Sequence, residues 1–280
     1  MKKIFFFLFS CIFIGTLHTQ DVQSRMKKKW ETPAVFKTPE SVCYDIKRGV
    51  YYVSNVNGSP SKEDKNGFIS KLSLDGKVIK LKWIKKLNAP KGMGIYKDKL
   101  YVADIKRVVE IDLEKGSISK IFPIENAVFL NDILIDRTGN IFISDTQADK
   151  IFMLKDGKAK IWLASADIKK PNGMCFNNNE MLIGCENTIV RVNAKTKKVH
   201  PFAEKTGTID GITSGEKGFV LVSDFNGKIS AVYPPKVVIK LLDTSKEKLN
   251  TTDIFYVQEK KLLLVPTFKG NRVIAYEVVF

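Results

Sequence analysis

The side chains best suited to chemistry in this sequence are six polar residues that recur at intervals close to 40 residues. Two carboxylates and two amides among them offer oxygen donors, which suit a hard cation such as Ca²⁺ or Mg²⁺. If the chain brings these positions together, they predict a site for one divalent cation. The six residues, spaced by 51, 40, 41, 38 and 42 positions, are Glu40, Lys91, Asn131, Asn172, Asp210 and Thr252.

A second polar set lies 13 to 15 residues after the first, and each member closes an apolar run. Its members are Asn55, Asp104, Asp145, Glu186, Asp224 and Thr267. In an antiparallel hairpin the start of one strand and the end of the next lie at the same end, so both sets are predicted to face one channel mouth. We expect a substrate pocket there, although a strand-closing aspartate can instead accept hydrogen bonds from backbone N–H groups. The expected pocket residues are Lys91, Asp104, Phe129, Asp145, Glu186 and Asp224.

The elements that must position these residues form a sixfold repeat of short apolar runs separated by turns. Runs that end at the second polar set span 50–55, 100–104, 141–145, 181–186, 219–224 and 262–267. Two further runs follow in most repeats, and a period of roughly 40 to 50 residues with four strands is typical of propeller blades. The sequence therefore predicts an all-β, six-bladed β-propeller that occupies residues 20–280 as one domain.

The sixth repeat reaches the end of the chain at Phe280 after only three strands. An unpaired edge would invite aggregation, so we expect an amino-terminal strand at residues 33–36 to supply the fourth strand and close the ring. The longest irregular segment, residues 55–66, follows a second strand and is predicted to overhang the polar mouth as a lid.

Four short motifs at blade spacing carry a family resemblance. Pro39-Glu40, Leu130-Asn131-Asp132, Pro171-Asn172-Gly173 and Ile209-Asp210-Gly211 resemble the metal-site motifs of the senescence marker protein (regucalcin) and gluconolactonase family. The resemblance implies one divalent cation, with Ca²⁺ first and Mg²⁺, Mn²⁺ or Zn²⁺ as alternatives. It assigns Glu40, Asn131, Asn172 and Asp210 as metal ligands. It also implies hydrolysis of a lactone or related ester, with Asp210 as the catalytic base or nucleophile.

Three positions depart from the family pattern. Phe129 stands where animal gluconolactonases have a sugar-binding arginine, and Ile209 replaces a proline, so a more apolar ester or lactone is expected. Lys91 adds an ammonium that a nearby cation would repel. Either Lys91 turns towards Asp104, or it replaces the cation in a metal-free site. The alternative function is a non-catalytic propeller, resembling NHL-repeat proteins, that binds a ligand or an envelope partner through this mouth.

The amino terminus predicts export. Lys2 and Lys3 precede an apolar run and a short polar segment, which is the order of a secretory signal peptide over residues 1–19. A lipoprotein signal at Cys11 is the competing interpretation, but apolar residues continue beyond it and favour cleavage near Thr19. The mature protein is thus expected outside the cytoplasm, periplasmic or extracellular, with no membrane-spanning segment.

Net charge and cysteine content limit the binding partners and the disulfide bonds that can be expected. The formal net charge is +16, yet the lysines are scattered through turns, so we expect a solvated surface, no nucleic-acid partner and a monomer. Cys43, Cys175 and Cys185 remain after signal removal. Pairing across the turn at 177–179 would place Cys175 opposite a residue near Leu182, so no disulfide is predicted.

Overall fold

The computed structural model describes residues 25–215, 218–234 and 237–279. Within these ranges the chain forms six four-stranded antiparallel sheets around a central channel, which confirms the predicted all-β, six-bladed propeller. The predicted signal peptide lies outside the described residues. Across the described ranges, no helix has the length and apolar character needed to cross a lipid bilayer.

Blades 1 to 3 each run in chain order from an inner strand at the channel to an outer strand at the rim. Blade 1 consists of β2 (Pro39–Asp45), β3 (Val50–Asn55), β4 (Gly67–Ser73) and β5 (Val78–Leu87). Blade 2 consists of β6 (Pro90–Tyr96), β7 (Lys99–Asp104), β8 (Arg107–Asp112) and β9 (Ser117–Pro123). Blade 3 consists of β10 (Leu130–Ile135), β11 (Ile141–Asp145), β12 (Lys150–Lys155) and β13 (Lys158–Ala164).

Blades 4 and 5 repeat this order, whereas blade 6 takes its outer strand from the amino end. Blade 4 consists of β14 (Met174–Asn177), β15 (Glu180–Cys185), β16 (Thr188–Val192) and β17 (Val199–Glu204). Blade 5 consists of β18 (Ile212–Ser214), β19 (Val220–Asp224), β20 (Lys228–Tyr233) and β21 (Val237–Asp243). Blade 6 consists of β22 (Phe255–Val257), β23 (Leu262–Thr267), β24 (Arg272–Val278) and the amino-terminal β1 (Met26–Glu31), and a 3₁₀ turn at Gln258–Lys260 joins β22 to β23.

The hydrophobic core lies in layers between neighbouring blades. Between blades 1 and 2, buried Tyr52 and Ile69 pack in one cluster with Leu100 and Val109. Tyr52 also stacks on Trp83, with ring centroids 4.8 Å apart. Because apolar side chains are used between the blades, polar residues can occupy the channel mouth without disrupting the core.

The strand that completes blade 6 is β1 and not the predicted segment 33–36. β1 pairs antiparallel with β24, from Met26 opposite Val278 to Glu31 opposite Ile274. Closure by an amino-terminal strand is thus confirmed, but the residues assigned to it were wrong. β1 reads Met-Lys-Lys-Lys-Trp-Glu, and its three lysines are exposed, so it lacks the apolar run on which the prediction depended.

The segment 33–36 has a different role. Phe36 is fully buried in the cluster between blades 6 and 1, while Val35 is exposed. Pro33 has no N–H to donate to a strand neighbour. The segment therefore links β1 to the inner strand β2 and anchors that link through a single aromatic side chain.

The described cysteines match the predicted geometry. Cys175 lies opposite Leu182 across the β14–β15 hairpin. Cys43, Cys175 and Cys185 are all buried free thiols, so they contribute to packing as small apolar side chains.

Candidate functional site

The inner strands of blades 1, 2 and 3 each contain a β-bulge at the residue of the first polar set. In blade 1, Pro39 pairs with Asn55 and Val42 with Val53, so Glu40 and Ser41 lie opposite the single residue Ser54. The registers of blades 2 and 3 break in the same way, over 90–93 and 130–133. A bulge re-aims a side chain that regular pairing would hold on the sheet face. The bulges therefore turn these ring residues towards the channel.

A serine on the second strand satisfies the backbone N–H that the bulge leaves unpaired. The Oγ of Ser54 accepts a hydrogen bond from the Ser41 N–H over 2.9 Å. Ser144 does the same for Asp132 in blade 3, over 2.9 Å. In blade 5, which has no such bulge, Ser223 likewise accepts the Gly211 N–H over 2.9 Å. Sequence reasoning missed these serines, although each one directly precedes the polar residue that closes its strand.

The Asn-Gly and Asp-Gly pairs of the motifs reflect close approach of neighbouring inner strands. A Cβ on Gly173 would lie 2.7 Å from the carbonyl oxygen of Asp210, and a Cβ on Gly211 would lie 2.6 Å from the Ile254 nitrogen. Only glycine lets the backbones meet this closely. The glycines thus bring the ring residues of blades 4 and 5 together at the channel.

Most of the first polar set converges on one cavity of about 200 Å³ at the channel mouth. The structure brings together the predicted residues Glu40, Lys91, Phe129, Asn131 and Asp210, and Thr252 joins them. The remaining walls are apolar, and sequence reasoning did not find them. They are formed by Val56, Pro60, Phe225 and Phe268.

Asn172 connects to this cavity through Asp210. Its Nδ2 donates a hydrogen bond to Asp210 Oδ1 over 2.7 Å. Asn131 is oriented in a comparable way, because its Nδ2 donates to Thr146 Oγ1 over 3.1 Å. With both amide nitrogens engaged, the amide oxygens remain as acceptors.

The strand-closing aspartates of blades 2 and 3 hold the loops that lead into the inner strands. Asp104 accepts the N–H groups of Asn88 and Ala89 and forms an ion pair with Arg107 at 2.7 Å. Asp145 accepts the N–H groups of Val128 and Phe129. Both are fully buried, and neither lines the mouth cavity.

The other two predicted pocket carboxylates also lie away from the cavity lining. Glu186 is exposed on the mouth face and binds Lys170. Asp224 accepts the N–H groups of Asn226 and Lys228 at the turn between β19 and β20. Of the six expected pocket residues, the structure therefore brings only Lys91 and Phe129 to the cavity.

The loop over residues 55–66 lies across this mouth, as predicted. Val56 and Pro60 form part of the cavity wall, and Val56 packs with Ala89, Ile105 and Phe268 in a small apolar cluster. Phe268 also meets Phe225 edge to face, with ring centroids 5.5 Å apart. The loop is thus anchored at its base and covers one side of the site.

Lys91 does not form the contact with Asp104 that was the first of the two alternatives. Its Nζ donates to the carbonyl oxygens of Pro60, at 3.0 Å, and Ala89, at 3.2 Å, and lies 4.2 Å from the centroid of the Phe129 ring. Burial lowers the pKa of Lys91, whereas the charges of Glu40 and Asp104 raise it. The ammonium therefore faces the covering loop, while its charge still acts on Glu40.

Glu40 is the least satisfied polar group of the ring. Its side chain is 7% exposed, and Oε2 has no hydrogen-bond partner. Burial, followed by the charges of Asp210 and Asp253, raises the pKa of Glu40 well above its usual value, and Lys91 opposes this rise. A buried carboxylate oxygen without a partner costs free energy unless something binds it.

The surroundings of Asp210 also disfavour the ionised form of its side chain. Burial raises its pKa to about 7, Asp253 adds to the rise, and the hydrogen bond from Asn172 opposes it. A carboxyl with this pKa can exchange a proton near neutral pH, as a general base requires.

Two further carboxyls, the buried Asp132 and the half-buried Asp253, lie beneath the ring. Asp132 accepts the Met174 N–H over 2.7 Å, and burial raises its pKa to about 7. Asp253 accepts the Ser41 hydroxyl over 2.6 Å, and burial raises its pKa well above the usual range. They line the inner part of a second cavity, of about 300 Å³, that occupies the opposite side of the channel.

The donor set of the mouth is compatible with a hard cation. Within the described ranges, no group of three or more His, Cys, Asp or Glu side chains is arranged to hold a metal ion. A cation would therefore depend on amide oxygens of Asn131 and Asn172 beside the two carboxylates, a ligand mixture that calcium sites use. The partnerless oxygen of Glu40 fits this arrangement.

Comparison with known proteins supports the fold. No family model and no curated protein matched the sequence. A gluconolactonase candidate is similar with a TM-score of 0.67 and 16% identity, over 91% of this chain and 92% of that one. A luciferin-regenerating enzyme is similar with a TM-score of 0.64 and 16% identity, over 88% of this chain and 92% of that one. A catalytically inactive virginiamycin B lyase from Staphylococcus aureus, solved with quinupristin, is similar with a TM-score of 0.61 and 12% identity. The match covers 86% of this chain and 95% of that one. The chain has the six-bladed propeller fold of gluconolactonase-like proteins.

Proposed function

We propose that this protein is a metal-dependent hydrolase that acts on a lactone or a related ester. The observation that carries the proposal is the partnerless Oε2 of buried Glu40, in a ring with Asp210 and two amides at the mouth of the channel. Similarity to gluconolactonase-like folds agrees with it, although a fold alone hosts many functions.

A divalent cation held by Glu40, Asn131, Asn172 and Asp210 would polarise the ester carbonyl and make a bound water more acidic. We favour Ca²⁺ because all four ligands offer oxygen. Mg²⁺, Mn²⁺ and Zn²⁺ are the alternatives that the experiment below separates.

The chain's own residues would then supply the base and the binding surface. Asp210 accepts a proton from the attacking water, and the hydrogen bond from Asn172 fixes which of its oxygens faces the cavity. Phe129, Phe225 and Phe268 form the apolar wall and exclude bulk water. An aromatic wall favours an acyl or alcohol group without many hydroxyls. With the signal segment predicted at 1–19, we propose that the reaction takes place outside the cytoplasm.

The proposal is tested by metal analysis of the purified protein together with a hydrolysis screen of aliphatic lactones and aryl esters. We expect about one divalent cation per chain, and hydrolysis that stops with a chelator and returns with one of the four metals. Glu40→Gln should lose both metal and activity. Glu186→Gln is the matched control, because Glu186 lies exposed on the same face and away from the cavity.

A second candidate function is favoured by one specific observation. Lys91, a cation, is buried within the ring, and its charge opposes that of a metal ion. In a non-catalytic binding propeller, Lys91 would balance the ring carboxylates instead. Wild-type protein that contains no metal, gains no stability from the four cations and is destabilised by Lys91→Ala would contradict the hydrolase and support this alternative.

A further inference from the structure

Lys91 is the only cation among the six ring residues, and its Nζ donates to carbonyl oxygens, not to Glu40 or Asp104, the carboxylates whose charges act on it. The side chain is 2% exposed, and its Nζ contacts two carbonyl oxygens and the face of Phe129. Carbonyl dipoles and a ring face stabilise an ammonium without cancelling its charge. An ammonium has three N–H donors, so one remains after the two carbonyl contacts.

The charges of the cavity do not sum to zero once a cation is present. Glu40 and Asp210 together carry two negative charges, and a divalent cation would cancel both. Asp104, the other carboxylate that acts on Lys91, is itself paired with Arg107 at 2.7 Å. Among the residues that line this cavity of about 200 Å³, Lys91 is then left with one net positive charge, while Asp132 and Asp253 lie outside the lining. A buried charge without a counterion is unfavourable and attracts an anion.

We propose that Lys91 anchors a carboxylate, so that the site selects small lactones or esters that carry a carboxylate group on an apolar body. This inference rests on the proposed metal-dependent hydrolase, because the cation sets the charge balance. Charge-assisted hydrogen bonds between an ammonium and a carboxylate are stronger than neutral ones.

The apolar walls of the cavity suit the apolar body of such a molecule. Phe129 contacts Lys91 directly, and Phe225, Phe268 and Val56 continue the apolar surface away from it. A ligand with its carboxylate at Lys91 would place its apolar body against these rings. Its ester or lactone carbonyl would then reach the side of the cavity that holds Glu40 and Asp210.

The test compares an acid with a neutral molecule of the same shape. Binding of phenylacetate and phenylacetamide is measured by calorimetry on the protein with Ca²⁺ present. We expect phenylacetate to bind at least about 10-fold more tightly to the wild type, in keeping with a charged hydrogen bond. In Lys91→Gln the difference should fall below about 2-fold, since glutamine can still donate to Pro60 but carries no charge.

Two further variants make this test specific. Lys91→Met removes both charge and donors, and should also lose the preference if it folds, as judged by its melting temperature. Lys80→Met removes an exposed lysine from the outer strand β5 and should keep the preference. Equal binding of acid and amide to the wild type would overturn the proposal. A preference that persists in Lys91→Gln would also overturn it, because the carboxylate would then bind the metal alone.

Hydrolysis gives a second measurement that separates this inference from the proposed function. Mono-4-nitrophenyl succinate carries a terminal carboxylate, and 4-nitrophenyl butyrate is its neutral counterpart. We expect the anionic ester to have the lower KM in the wild type and not in Lys91→Gln. Metal-dependent hydrolysis of both esters with equal KM would overturn the carboxylate anchor and leave the hydrolase intact. Lys91-dependent binding of phenylacetate without metal or hydrolysis would contradict the hydrolase and the charge balance based on its cation, and would leave Lys91 as the anion site of a binding propeller.

Discussion

Asn172 and Asp210 lie 38 positions apart in the sequence, yet their side chains are joined by a 2.7 Å hydrogen bond from Nδ2 to Oδ1. The bond connects the entrances of blades 4 and 5, and the close approach of Gly173 to the Asp210 carbonyl makes it possible. It engages one oxygen of Asp210 and opposes the rise of its pKa. Asp210 is therefore the ring carboxylate whose orientation and protonation are most closely controlled.

Asp210→Asn should abolish hydrolysis and leave the propeller folded. The substitution keeps the shape of the side chain but removes the proton acceptor, and loss of a general base costs roughly 10²- to 10⁴-fold in rate. The measurement is kcat on the best ester from the screen, with circular dichroism as a check of folding. Asp156→Asn serves as control, because Asp156 is exposed in the turn between β12 and β13 and does not line the cavity. Unchanged kcat in Asp210→Asn would show that another group accepts the proton.

A divalent cation should stabilise the wild-type protein and not Glu40→Gln. A ligand present at 100 times its Kd adds about 2.7 kcal/mol to the free energy of unfolding, which for a chain of this size corresponds to roughly 5 to 10 °C. Differential scanning fluorimetry with Ca²⁺, and then with a chelator, measures this shift. Glu186→Gln should respond as the wild type does. A wild type indifferent to every cation tested would contradict the assignment of the ring as a metal site.

The strands of the repeat could be predicted closely because their apolar runs end at polar residues. β3 and β11 begin and end where the sequence indicated, since each is a fully buried run closed by Asn55 or Asp145. The closing strand was misplaced because β1 is an exposed, lysine-rich strand whose stability comes from pairing with β24. An outer strand of this kind has no apolar pattern by which a sequence could reveal it.

The candidate site could be predicted only in part. The ring residues follow from blade spacing, and five of the six line one cavity. Whether a strand-closing aspartate faces the channel or the next loop depends on which loop amides it binds, as Asp104 and Asp145 do, and sequence spacing does not reveal this. The position of Lys91 depends on the carbonyl of Pro60, which is 31 residues away in a loop without regular structure. Asp132 and Asp253 were missed because their partners, the Met174 N–H and the Ser41 hydroxyl, belong to other blades.

Ser144→Ala should destabilise the protein without removing any residue of the cavity wall. The Ser144 hydroxyl is the acceptor for the buried Asp132 N–H, and a buried donor left without a partner costs about 1–3 kcal/mol. Urea unfolding measures the change. Ser119→Ala, at an exposed serine of β9, is the matched control and should differ little from the wild type. Equal stability of the two variants would mean that water or another group replaces the lost acceptor.

A chain that starts at residue 32 should aggregate, whereas a chain that starts at residue 25 should remain monomeric. The longer chain keeps β1, and the shorter one exposes the edge of β24 from Ile274 to Val278. Open strand edges pair with other chains. Size-exclusion chromatography with light scattering separates the two outcomes. If the shorter chain stayed monomeric with the same melting temperature, β1 would contribute nothing to closure of the ring.

The metal-free protein should lose stability as the pH rises from about 5 to 8. Asp132 and Asp210 have a pKa of about 7 in the folded chain, and about 4 is usual for an unfolded aspartate. Glu40 and Asp253 are shifted in the same direction. Below pH 4 these groups are protonated in both states and contribute no difference. Above the unfolded pKa the folded protein resists their ionisation, so stability falls until the folded pKa has been passed.

Thermal unfolding across this pH range in the presence of a chelator tests the prediction. Asp210→Asn should show a weaker pH dependence, because one of the titrating groups is gone. Saturating Ca²⁺ should flatten the wild-type curve near pH 7 to 8, since a cation favours the ionised carboxylates. The control Asp156→Asn should follow the wild type, because Asp156 is exposed in the turn between β12 and β13. A metal-free protein whose stability rises over the same interval would mean that the buried carboxyls ionise with compensation from Lys91, and the charge balance proposed for the cavity would then be wrong.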